Sequence, residues 1–112
     1  MGNMIKNIDF KTALELEGTV QCQPGQVVSR TLVQNKSVSL TLFAFDKGEE
    51  ISTHASSGDA MVYIIDGNAK ITIDGEAYHL DRGKTIVMPA DVPHALYAEE
   101  QFKMMLTVVF PA

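Results

Sequence analysis

Two Asp-Gly dipeptides, Asp66-Gly67 and Asp74-Gly75, stand among short β-type runs, and this punctuation constrains the chain more than any other feature. Asp-Gly supplies the positive φ angles of a tight hairpin, so each dipeptide is read as an antiparallel reversal. From residue 27 onward the predicted strands are Val27 to Val33, Val38 to Phe45, Met61 to Ile65, Ala69 to Ile73, Ala77 to Leu80, Thr85 to Met88, Ala95 to Ala98 and Lys103 to Phe110. Strands this short and closely spaced imply a sandwich or barrel. The expected fold is all-β, a small antiparallel barrel or double-sheet jelly roll over residues 27–112.

Residues 1–26 read differently, as an N-terminal arm, a short helix or a strand. Phe10, Ala13 and Leu14 at helical spacing, with Gly18 placed as a stop, suggest a helix from Asp9 to Glu17. An irregular arm or strand is the competing expectation. At 112 residues the whole is one domain, and 46% apolar residues supply an ordinary core.

A net charge of −5, without a Lys/Arg cluster, argues against direct DNA or RNA binding. The lone Cys22 excludes an intrachain disulfide and a cysteine-based zinc site within one chain. No run is apolar enough for a membrane span and the first ten residues lack a signal-type core, so the expectation is a cytoplasmic protein without membrane contact.

Alternation assigns faces. Ala69, Ile71 and Ile73 should face the core, with Lys70 and Thr72 toward water. Lys103 to Phe110 is almost continuously apolar, which fits a central strand of the sheet or, as the favoured reading, a strand whose outer face packs against a second subunit. A homodimer is expected on that ground.

Two histidines stand in the segments best suited to chemistry. His54 follows the polar Gly48-to-Thr53 stretch, and His94 closes Pro89-Ala90-Asp91-Val92-Pro93-His94, where two prolines make a stiff turn that aims the side chain. His79, among charged neighbours, reads as a solvated surface residue. Residues 54, 56, 58 and 60 would share one face if that segment were extended, with Asp59 pointing away. Met88 and Met104 are candidate lining residues for an apolar cavity, although methionine equally serves as core filling.

Gly48 to Gly67 and Gly83 to Ala98 together resemble the two motifs of the cupin superfamily, of the type-2, RmlC-like kind. Gly48, His54 and Gly67 match the first motif; Gly83, Pro89 and His94 match the second. The resemblance implies a barrel with both histidines inside it. It also implies a depleted metal site, because Ser56 stands where the family's usual second histidine would be and Ala60 where its glutamate would be. The second motif departs at Asp91, where the family often has glycine, and at Ala98, where it often has asparagine.

Three functional readings remain open. The favoured one is a protein that binds a small organic ligand, with His54, Ser56, Met88, His94 and Met104 around it and the histidines at its polar end. Its cofactor expectation is none certain, or a divalent Mn, Fe, Ni or Zn weakly held by His54 and His94. A metal-dependent dioxygenase, decarboxylase or isomerase is the second, and a non-catalytic regulatory or structural partner the third. Whether the protein is an enzyme is left open by its residues.

Overall fold

The computed structural model describes residues 4–112, and eight β-strands dominate it. They are β1 (Val27–Gln34), β2 (Val38–Phe45), β3 (Glu50–His54), β4 (Asp59–Ile73), β5 (Glu76–Asp81), β6 (Thr85–Met88), β7 (His94–Tyr97) and β8 (Phe102–Val109). Every pairing is antiparallel. One sheet runs β1-β2-β8-β4-β6 and the other β5-β4-β7-β3, with the long β4 shared between them. The result is the expected small antiparallel barrel of two curled sheets.

The sharing of β4 corrects one expectation. Asp66-Gly67 is no hairpin, because β4 continues through it from Asp59 to Ile73. Gly67 has φ 86°, and a Cβ there would collide with the Gln101 carbonyl and the Phe102 backbone of the adjoining strand. The register between β4 and β8 also shifts between Ile64 and Asp66. Gly67 therefore bends β4 from one sheet into the other, a use of glycine's conformational freedom that local sequence does not separate from a turn. Asp74-Gly75 is the expected reversal, with φ 50° and 82° between β4 and β5.

Alternation sets two apolar layers. Phe45, Val62, Ile64, Ile71, Met88, Leu96, Phe102 and Met104 fill the barrel interior, where Phe45 and Phe102 stack with centroids 4.3 Å apart. Outside the first sheet, Leu32, Leu42, Ala44, Ile65 and Met105 form a second layer beneath Ile8, Leu16, Val20 and Cys22. The N-terminal segment is thus a strap across the outer face. Burial among these residues raises the pKa of the Cys22 thiol.

The strap is irregular, with a single 3-10 turn over Leu16–Gly18. The Asp9-to-Glu17 helix does not form, since Lys11 sits at φ 55°, a left-handed conformation that interrupts helical hydrogen bonding. Its anchors are long-range: Lys6 N–H donates to the Leu32 carbonyl at 2.9 Å, Asn7 Nδ2 to the Thr31 carbonyl at 2.8 Å, and Lys103 Nζ to the Glu17 carbonyl at 2.6 Å.

β8 lies between β2 and β4, as its apolar sequence suggests. Phe102, Met104 and Val108 point into the barrel, while Met105 on the outer face is covered by the strap layer. Part of the surface expected to need a second subunit is therefore covered by the chain's own N-terminal segment.

Candidate functional site

The second sheet ends in a row of cross-strand partners, Ile73 on β4, His94 on β7 and His54 on β3. The preceding inward row is Ile71, Leu96 and Ile51. Between these rows β7 advances from Leu96 to His94, two residues, while β3 advances from Ile51 to His54, three. Without a bulge, three residues of strand would turn His54 to the face opposite Ile51. The bulge through Ser52 and Thr53 places it beside His94 instead. β3 was missed as a strand because it is an edge strand, mostly exposed and polar.

The two imidazoles meet edge to face, centroids 4.4 Å apart and planes at 68°. His94 is buried at 3% exposure, whereas His54 is exposed at the barrel mouth. Each ring places Nδ1 against the carbonyl oxygen two residues earlier: His54 against Ser52 at 2.9 Å, His94 against Val92 at 3.1 Å. A carbonyl oxygen only accepts, so Nδ1 carries the proton in both neutral rings. Both Nε2 atoms are left as lone-pair acceptors. Burial is the main cause of a lowered His94 pKa; the Val92 carbonyl opposes it, and the nearby His54 lowers it further.

The loop that presents His94 is pinned from three sides. Asp59 Oδ1 accepts from Ala90 N–H at 2.8 Å, the Ser56 carbonyl accepts from Asp91 N–H at 2.7 Å, and the Pro93 carbonyl accepts from Asp74 N–H at 2.8 Å. Asp91 adopts φ 62°, a left-handed position that aspartate tolerates better than most residues. Asp59 and Asp74 are positioning residues that sequence reasoning did not find, as their partners lie far along the chain. The exposure of Asp59 agrees with its expected outward aim.

Ser56 departs from expectation. β3 stops at His54 and β4 starts at Asp59, so positions 54, 56, 58 and 60 do not share one strand face. The serine hydroxyl instead accepts from Gly58 N–H at 3.2 Å, closing the turn. Gly58 must be small there, since a Cβ would meet the Val109 carbonyl at 2.5 Å. Met88 and Met104 are fully buried on the first sheet, in the interior layer with Ala60. His79 lies exposed on β5, its Nδ1 2.7 Å from Glu99 Oε1.

A model of the Cupin domain matches residues 41–110. The conserved SPY1581 protein of unknown function from Streptococcus pyogenes superposes with TM-score 0.97 at 50% identity, covering 99% of this chain and 97% of that one. A cupin superfamily protein, DSY2733, from Desulfitobacterium hafniense DCB-2 does so with TM-score 0.92 at 30% identity, over 96% of this chain and 98% of that one. Among curated sequences, SCO3923 of Streptomyces coelicolor is 27% identical over 79 residues, 70% of this chain and 75% of that protein.

Proposed function

The chain belongs to the cupin family, and from that premise we propose that it is a binding module for a small organic ligand that donates hydrogen bonds to His54 and His94. One observation carries the reading: both Nδ1 atoms are committed to backbone carbonyls, so both Nε2 atoms are acceptors on rings 4.4 Å apart. Neutral acceptors favour a phenol or polyol over a carboxylate, which has no proton to give at neutral pH. Ile51, Leu96 and Ile73, in the same and the adjoining inward row, would bury the apolar body of such a ligand.

A cupin fold also implies a divalent metal, and the donor set here does not fit a resident one. Metal sites commonly need about three or four protein donors. Among the described residues no three His, Cys, Asp or Glu converge. Ser56 uses its hydroxyl to accept from Gly58 N–H, and Ala60 has no donor to offer. No reaction step is therefore assigned to a metal.

The test is thermal unfolding of chelator-treated protein with panels of phenols, polyols and carboxylates. A phenol or polyol is expected to raise the midpoint of the natural protein and leave the His54→Ala variant unmoved, since a ligand that binds only the folded state stabilises it. Equal shifts in both proteins would reject the site. Stoichiometric metal in protein purified without added metal would replace this reading with a metal centre.

A further inference from the structure

Among the described residues only two polar side chains are buried, His94 and Thr41. His94 belongs to the histidine pair, whereas Thr41, at 8% exposure, stands on β2 in the other sheet. Strand parity aims it into the barrel: Leu40, Leu42 and Ala44 belong to the outer layer, while Phe43 and Phe45 pack with the interior. Its cross-strand row continues through Leu106, Val62 and Ile86, all apolar. The Thr41 hydroxyl bonds no described residue, yet it is not sealed off, since every fully occluded polar side-chain atom among those residues has a partner. A hydroxyl held in an apolar row without a protein partner costs folding free energy, so a role in stability does not account for it.

β2 runs into β3 through residues 46–49 and thereby crosses from the first sheet to the second. Thr41 and His54 stand equally far along their strands from this crossing, at comparable depth on facing walls. Phe43 and Ile51, nearer the crossing, pack on the same interior cluster. We infer that Thr41 is the second polar end of the ligand site, its hydroxyl holding the end of the molecule remote from His54 and His94. The inference rests on the ligand reading of the histidine pair and narrows it to an uncharged molecule with a hydroxyl at each end of an apolar body. One hydroxyl donates to a histidine Nε2, and the other exchanges a hydrogen bond with Thr41 Oγ1, which can both donate and accept. Between the two ends the walls are apolar, with Phe43, Ile51 and Leu106 half-buried, so a polyol would leave its middle hydroxyls unpaired there.

Titration of chelator-treated protein with 4-hydroxybenzyl alcohol, and with 4-methylphenol, which lacks the second hydroxyl, tests the inference. Thr41→Val keeps the shape of the side chain and removes its hydroxyl. The variant is expected to bind 4-hydroxybenzyl alcohol roughly threefold to tenfold more weakly, the worth of one uncharged hydrogen bond, and 4-methylphenol no more weakly than the natural protein does. Without ligand its thermal midpoint should equal or exceed that of the natural protein, because the unpaired hydroxyl is gone. His54→Ala should weaken both compounds. A lower midpoint for Thr41→Val would assign the hydroxyl to the fold and overturn the inference. Undiminished binding of 4-hydroxybenzyl alcohol by Thr41→Val, or an equal loss for both compounds, would overturn it too, while losses in His54→Ala would leave the histidine site standing. Unchanged affinities in His54→Ala would reject the histidine reading itself, and failure of both compounds to bind the natural protein would overturn the two-ended site.

Discussion

His54 and His94 are direct cross-strand partners on β3 and β7, and their rings meet edge to face at 4.4 Å. This pairing depends on a bulge in one strand and a stiff, thrice-anchored loop before the other. The site is thus a product of backbone irregularity on a regular sheet.

Removing Thr53 should undo the bulge. With one residue fewer, Ile51 and His54 stand two apart, as Leu96 and His94 do on β7, so His54 keeps its inward facing while Ile51 stays opposite Leu96. The variant is expected to fold and to keep the nuclear Overhauser contacts between the two imidazoles. Loss of those contacts in a folded variant would show that the extra residue of β3 is not a bulge in an otherwise regular ladder.

Asp91→Val should damage the loop that carries His94. A β-branched residue at φ 62° is strained, at a cost of about 1–2 kcal/mol. Asp91→Gly removes that strain and should stay within about 1 kcal/mol of the natural protein. Urea unfolding measures both, and equal stability of the two variants would contradict the left-handed assignment.

Gly67→Ala and Gly75→Ala separate conformational strain from crowding. Both glycines have positive φ, but a Cβ at Gly75 meets nothing within 4 Å, whereas one at Gly67 runs into the Gln101 carbonyl. Gly75→Ala should cost about 1 kcal/mol. Gly67→Ala should cost clearly more, by urea unfolding, because the strand cannot bend without moving β8. Equal losses would refute the role given to Gly67 in joining the two sheets.

The lowered His94 pKa makes stability depend on pH. In the unfolded chain His94 titrates near the ordinary histidine value of about 6.5, and in the folded protein below it. Between the two the unfolded state binds more protons, so folding stability falls as pH drops through that interval and is fully present above it. The His54 ring lies against His94, and its charge would deepen the effect. His94→Gln should flatten the fall of the urea midpoint as pH drops below about 6.5, the ordinary histidine value. An unchanged slope would assign the titration elsewhere.

Much of the fold was legible because its signals are local. β2 and β6 carry the expected limits, and Asp74-Gly75 is a hairpin in both sequence and structure. Asp66-Gly67 misled because the same dipeptide serves a strand bend whose cause, the Gln101 backbone, is remote in sequence. Lys11 gave no sign of its left-handed conformation, so an apolar spacing that fits a helix became a strap. For the site, both histidines were legible from their motifs, but facing was not. Parity from 54 to 60 assumed one extended segment, and the turn closed by Ser56 and Gly58 breaks it. The Asp59 and Asp74 anchors required tertiary structure to be seen at all.

The most direct test of the histidine pair as a two-acceptor binding site is ¹⁵N spectroscopy of the imidazole rings in chelator-treated protein near pH 7.5, with and without a phenol or polyol that raises the thermal midpoint. Each ring is expected to carry its proton at Nδ1, with both Nε2 resonances moving toward the hydrogen-bonded position as ligand is added. An Nε2-protonated tautomer in either ring, or a ligand that stabilises the protein while leaving both Nε2 resonances in place, would contradict it.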